Sequence, residues 1–240
     1  AYAPYRGSYA EFAVVPAWKA ARVPDGIAQD IACAAMLQVT TAHYLTHATY
    51  PLKSGDSCLV HAAAGGAGQL IVQFAKRRGA TVVGTVGSAE KAAIAKDRGA
   101  DHVILYKEAD VAADVRELTG GRGVDVAYDS VGKATFEGSL KTLRRRGLLV
   151  LFGGASGVVD HVDPLALAEA GSVFFTRPHL ADHLATPDEV AMRTRAVFDA
   201  ILDGSLRIAI DKVWPLGEAP EAHRYLEAAK TKGKLLLSVG

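Results

Sequence analysis

From residue 57 onward, short apolar runs alternate with longer amphipathic ones. The runs Ser57–Ala62, Thr81–Thr85, His102–Leu105, Val124–Tyr128 and Leu148–Phe152 are rich in Val, Leu and Ile and read as strands. Between them, Gly66–Arg78, Ala89–Arg98, Ala109–Thr119 and Ala134–Arg145 read as helices. Each ends near a glycine (Gly79, Gly99, Gly120, Gly147), the residue that closes a helix most easily in the left-handed conformation. Strand and helix at this spacing predict right-handed crossovers and an α/β fold with a doubly wound parallel Rossmann sheet. The strands are apolar on both faces, as strands covered by helices on two sides must be.

The flanks are less regular. Ser8–Val15 (SYAEFAVV) alternates like a strand but has no partner nearby in sequence. Two helices follow, Ala28–Leu37 and Thr41–Thr49, closed by Pro51 and Gly55-Asp56. After Gly171 the pattern predicts a strand Ser172–Thr176, a helix from about Pro187 to Asp203, short strands Leu206–Ile210 and Lys212–Trp214, a helix Glu218–Lys230 and a strand Lys234–Val239. The expected organisation is a nucleotide-binding domain over 50–185, flanked by 1–49 and 186–240, two pieces of a second domain that pack together.

Charge and composition narrow the function classes. A formal net charge of +1 favours neither nucleic acid nor an acidic membrane surface. No apolar run is long enough to cross a bilayer, and the first residues lack the order of a signal peptide; the two isolated cysteines, read as reduced, agree with a cytoplasmic protein. Neither Cys33 nor Cys58 belongs to a CxxC pair, and both read as buried reduced thiols. His43 and His47 stand four apart on a helix without an evident third metal ligand. They read as surface or partly buried helix residues. Arg144-Arg145-Arg146 reads as the basic last turn of a helix, where cations complement the helix dipole. No nucleophile–base pair is evident, and no catalytic side chain is assigned.

Two segments carry chemistry. Ala63-x-Gly65-x-x-Gly68 follows the first strand and opens the first helix, as in a dinucleotide fingerprint. Gly65 lets the backbone approach a pyrophosphate, Gly68 lets helix and strand pack closely, and the free N–H groups of the helix start meet the phosphate charge. The second segment is the tip of the second strand, Gly84–Ser88. NAD-selective sites place an acid there for the ribose hydroxyls. This tip has none; Ser88 and Lys91 follow instead, a hydroxyl and a cation suited to a 2′-phosphate. The expected cofactor is therefore NADPH, with Glu90 turned to solvent.

These motifs occur together with others in order: VHAAAGGAG (60–68), GTVGSAEK (84–91), YDSVG (128–132), RRGLLVLFGGASG (145–157) and TRP (176–178). With them the chain resembles, over essentially its whole length, the quinone oxidoreductase (zeta-crystallin-like) branch of the zinc-independent medium-chain dehydrogenase/reductase superfamily. The resemblance implies a GroES-like catalytic domain, then the nucleotide domain, then a return to the first. SYAEFAVV resembles the last strand of the catalytic domain, so the sequence reads as N-terminally truncated, with remnants of that domain; Leu206–Gly240 resembles the return piece. By the same resemblance, Thr41 and Tyr44 lie at the nicotinamide end. Gly65, Gly66 and Ala67 meet the pyrophosphate, and Ser88, Lys91 and Tyr106 surround the 2′-phosphate. Ser130 ends the fourth strand, Phe152 and Gly153 line the nicotinamide side after the next one, and Arg177 and Lys234 supply further contacts.

Three departures stand out: Ala67 where the family commonly has Val, Gly154-Ala155 where polar residues often meet the cofactor, and Ala229-Lys230 near a position where an arginine is frequent. No cysteine lies beside Leu37–Gln38, where zinc-dependent relatives place a ligand, so no metal is expected. The implied activity is hydride transfer from NADPH to a quinone or another electrophilic acceptor. The alternatives are reduction of an enoyl thioester or enone, and a non-catalytic, crystallin-like NADPH-binding protein. The apolar stretch Ser172–Thr176 at the sheet's outer edge predicts a homodimer in which two such edges pair.

Overall fold

In the computed structural model, which describes residues 1, 7–228 and 230–239, the chain divides into two compact units. The first contains Ala1–Tyr44, Gly65–Leu70 and Leu180–Gly240; the second contains Leu45–Ala64 and Ile71–His179.

The second unit is built on one sheet. Its strands are β1 (Ser57–Val60), β2 (Thr81–Val86), β3 (His102–Leu105), β4 (Val124–Asp129), β5 (Leu143–Leu151) and β6 (Phe174–Thr176), in the order β3-β2-β1-β4-β5-β6 and parallel throughout. The chain winds outward from β1 to β3, then crosses back to lay β4 on the other side of β1. This reversal lies between β1 and β4, and the carboxyl ends of the strands at such a switch point are where doubly wound sheets form their ligand crevice. Leu59, Val83, Ala127 and Leu149, all at or below 1% exposure, form the centre of the core; Phe136 meets Phe175 edge-on at 5.5 Å.

Local chemistry sets the helix ends. Helix α2 (Gly66–Arg77) begins in the first unit and continues in the second. Ser88 caps α3 (Ala89–Asp97), and Asp110 caps α4 (Val111–Leu118) through the N–H groups of Ala112 and Ala113. Asp163 caps α6 (Pro164–Glu169), a short helix that the pattern of the sequence did not predict. Gly79, Gly99 and Gly120 follow their helices with positive φ, as expected.

Gly147 does not, and with it the expected helix Ala134–Arg145 is corrected. Helix α5 (Phe136–Thr142) stops early, and β5 starts at Leu143, so Arg144, Arg145 and Arg146 lie in a strand rather than in a last helical turn. Two interactions override the local helical preference. Leu143 pairs with Val124, and Asp125 receives Arg144 Nε at 2.6 Å and the Arg122 fork at 2.6 and 3.0 Å. Arg146 takes the left-handed turn (φ +58°).

The first unit contains α1 (Gln29–Tyr44), α7 (Pro187–Leu202), α8 (Ala219–Glu227) and two parallel strands, β7 (Ile210–Pro215) and β8 (Lys234–Ser238). The expected break between Leu37 and Thr41 is absent: α1 runs through it. Thr186 and Glu189 form a reciprocal capping box at the start of α7. Arg193 of α7 is 4% exposed and donates to His183 O at 2.8 Å and reaches His43 of α1 at 3.4 Å. His43 is therefore buried, not a surface histidine.

Three further expectations are corrected here. SYAEFAVV forms no strand: without a neighbouring strand its backbone has no ladder partner, and Phe12 and Val14 stand 89% and 92% exposed. Residues 206–209 are not a strand either; Leu206 N closes the end of α7 by donating to Ala200 O. Cys33 is exposed on α1, and only Cys58 is a buried thiol. Of the expected helix Glu218–Lys230, α8 accounts for 219–227; Ala229 lies outside the described residues.

Candidate nucleotide-binding site

The carboxyl end of the second unit's sheet gathers several of the sequence-predicted residues. Past β2 the chain turns through Gly87 to Ser88, whose hydroxyl accepts from Lys91 N at 3.4 Å. Tyr106, just past β3, is 51% exposed, and its phenol lies across Gly87: a Cβ on that glycine would stand 2.7 Å from the hydroxyl. A side chain at position 87 would push the phenol off the tip. Ser88, Lys91 and Tyr106 surround this tip, and Glu90 beside them is exposed. The arrangement offers a hydroxyl, an ammonium, a phenol and a helix start, with no carboxylate between Gly84 and Ala89.

On the other side of the crevice, Ser130 and Gly153 are in contact. A Cβ on Gly153 would lie 2.4 Å from Ser130 O, so only glycine allows the turns after β4 and β5 to meet. Phe152 N donates to Asp129 O at 2.8 Å and Ala155 N to Ser130 O at 3.2 Å, which holds Phe152 half-buried beside the β4 turn. Arg177, after β6, is exposed, with its guanidinium bonded to Pro178 O at 3.3 Å.

The remaining predicted residues belong to the first unit. Gly65, Gly66 and Ala67 form the start of α2 and are all partly accessible. Gly66 lies against the side chain of Gln38 on α1, and Gln69 donates to Lys232 O at 2.8 Å. Within this unit the glycine turn therefore stands next to α1 and the entry to β8. Lys234 opens β8; burial lowers its pKa, opposed by the nearby Cys33 thiol. Thr41 is half-buried, while Tyr44 is 2% exposed and stacked on His183 at 4.1 Å.

The sequence reading passed over a polar cluster behind the crevice. His61, Thr85, Asp129, Thr135 and Ser139 are linked by hydrogen bonds in an otherwise apolar layer. Its signals were a histidine directly before the glycine turn and an aspartate at the end of the apolar strand VDVAYD. Burial lowers the pKa of His61, opposed by the charge of Asp129.

The zinc-binding dehydrogenase family matches residues 66–182. Among the described residues, however, no group of three or more His, Cys, Asp or Glu side chains is arranged to hold a metal. The donor set among the described residues does not fit zinc. The chain is 43% identical to a 2-haloacrylate reductase of a Burkholderia species over 98% of this chain and 71% of that protein. It is also 43% identical to a quinone oxidoreductase of Salmonella typhimurium, over 96% and 71%. The solved structure of a mycobacterial protein complexed with NADPH superposes with a TM-score of 0.94 at 47% identity, over 97% of this chain and 72% of that one. With relatives this similar over nearly its whole length, the chain belongs to the quinone oxidoreductase family of medium-chain dehydrogenase/reductases.

Proposed function

We propose that this protein is an NADPH-dependent reductase that passes hydride to a quinone without a metal. The observation that carries the reading is the tip of β2, which holds Ser88, Lys91 and Tyr106 and has no carboxylate between Gly84 and Ala89, Glu90 being exposed on the first turn of α3. A 2′-phosphate meets two hydroxyls and a cation there, whereas the bare ribose of NADH finds no acid to bind its hydroxyls. Gly65, Gly66 and Ala67 present the free N–H groups of the α2 start to the pyrophosphate. Thr41, Tyr44, Ser130, Phe152 and Gly153 belong to the nicotinamide end, and Arg177 and Lys234 add charged contacts. When bound, NADPH supplies the hydride; a quinone takes it together with a proton and leaves as the hydroquinone. Water can supply that proton, so the residues have only to bind, orient and shield.

A second acceptor class is favoured by one finding, the similarity to a 2-haloacrylate reductase. An activated alkene would take hydride at one carbon and a proton at the other. The deciding experiment follows NADPH consumption by chelator-treated protein with a benzoquinone, and separately with 2-haloacrylate and an enoyl thioester. Quinone turnover unaffected by the chelator is expected. Turnover with the alkenes alone would favour the second reading, and NADPH binding with no turnover would favour a non-catalytic role.

Residues 50–185 are taken as the cofactor-binding domain, with 1–49 and 186–240 contributing to the substrate side. Two unpaired cysteines suit a reducing cytoplasm. The protein is further read as a homodimer. β6 has β5 on one side and, among the described residues, no strand on the other, and its Phe174 is 60% exposed. An apolar open edge of this kind suits pairing with a second copy.

A further inference from the structure

Three loops at the carboxyl edge of the sheet serve different parts of the proposed cofactor, yet one buried chain of hydrogen bonds runs behind all three. His61 is 4% exposed and directly precedes the glycine turn. Its Nδ1 lies 3.0 Å from Thr85 Oγ1 at the end of β2, and its Nε2 lies 2.9 Å from Ser139 Oγ on α5. Ser139 Oγ is in turn 3.0 Å from Asp129 Oδ2 at the end of β4. The Asp129 carboxylate also accepts from Thr135 Oγ1 at 2.7 Å and from the N–H groups of Val131 and Gly132 at 2.8 and 3.0 Å, which fixes the turn that carries Ser130. Backbone bonds close the frame: His61 N donates to Tyr128 O at 3.0 Å and Ala63 N to Thr85 O at 3.0 Å.

One arrangement of protons satisfies the whole chain. An ionised carboxylate only accepts, so the proton between Ser139 Oγ and Asp129 is the hydroxyl's, shared with Thr135 O at 2.8 Å. Ser139 Oγ then accepts from Nε2–H of a neutral His61, and Nδ1 accepts the Thr85 hydroxyl proton. Loss of one link leaves a buried polar atom unpaired and frees the loop it held.

We propose that His61 is a positioning residue for cofactor choice: through Thr85 it fixes the tip of β2, and so sets the preference for the 2′-phosphate of NADPH over the free ribose of NADH. His61 touches neither cofactor. It holds the strand end from which Ser88 and Lys91 project. The inference rests on the reading that this tip binds the 2′-phosphate. A role confined to stability would weaken both cofactors alike, whereas a fixed tip matters most to the ligand that uses it.

The test is equilibrium binding of NADPH and NADH to the wild type and to Thr85→Val, Thr85→Ser and His61→Phe variants. Thr85→Val keeps the side-chain shape and leaves Ser139 and Asp129 paired. It is expected to weaken NADPH by about tenfold, the equivalent of one lost buried hydrogen bond, while NADH changes much less. Thr85→Ser, which keeps the hydroxyl, is expected to restore the wild-type ratio. His61→Phe should shift the ratio in the same direction as Thr85→Val; where it fails to fold, the Thr85 pair decides. An unchanged NADPH-to-NADH ratio in Thr85→Val overturns the proposal alone. A wild type with no preference for NADPH overturns the reading beneath it and the proposal together.

Discussion

At the scale of single residues, the strongest forces at work here are hydrogen bonds to buried charges. Asp125 is the clearest case. Burial alone would raise its pKa, but the bonds from Arg144 and Ser57 N, with the charges of Arg122 and Arg144, outweigh it and hold the pKa below the ordinary 3.8. Asp101, although exposed, is lowered in the same way: the bonds from Lys76 and Val82 N outweigh its desolvation. His61 is the opposite kind of group: burial is the largest influence and lowers its pKa below 6.5, with Asp129 opposing. His183 is likewise lowered, by burial and then by Arg193. In each case the unfolded chain binds the proton more readily than the folded one. The stability these groups contribute is complete above their unfolded pKa values and is lost as pH falls towards the folded ones. Thermal melts are therefore expected to show stability eroding first below about pH 6.5, from the two histidines, and again below about pH 3.8, from the two aspartates. The His61→Phe variant should lose part of the upper erosion. A variant whose melting temperature follows the wild-type slope between pH 7 and 5 would show that His61 does not titrate in this way.

At the scale of elements, the sequence was most informative where local and tertiary preferences agree. The apolar runs of β1 to β4 and the helices ended by Gly79, Gly99 and Gly120 were readable because period, cap and burial point the same way. SYAEFAVV failed because alternation describes a face, not a partner, and nothing in the local sequence states which strand lies alongside. LKTLRRRGLLV failed because its helical propensity competes with pairing to β4 and with a carboxylate on that strand, neither of which is visible in the segment itself. Candidate site residues were readable for the same reason as the strands: the tip of β2 and the glycine turn are local motifs. The network from His61 to Asp129 is not local, since it joins residues 61, 85, 129 and 139, and pattern alone could not assemble it. A smaller cross-link of this kind gives a test of element packing. Arg116 of α4 donates to the carbonyls of Gly121, Arg122, Lys141 and Leu143, so it ties the end of its own helix to the junction of α5 and β5. Arg116→Ala would leave these acceptors without it and should cost about 1–3 kcal/mol in denaturant unfolding. A loss within error of zero would mean that water replaces the guanidinium without penalty.

At the scale of the whole molecule, a net charge of +1 supplies no field to steer polyanions, and no helix among the described residues is long and apolar enough to cross a membrane. The proposed interactions are with a cofactor, a small acceptor and a second copy of the chain. Assembly can be checked at the open edge of β6. Phe174→Lys places a charge in the proposed apolar seam and should shift the light-scattering mass from dimer to monomer at micromolar concentration. A monomeric wild type, or a variant of unchanged mass, would count against pairing there. Paired fluorescence titrations with NADPH and NADH show whether the β2 tip makes this an NADPH enzyme. One charge-assisted contact to the 2′-phosphate, worth about 1.5–3 kcal/mol, predicts NADPH binding tighter by roughly ten- to a hundred-and-fifty-fold. Equal affinities, or tighter binding of NADH, would contradict it.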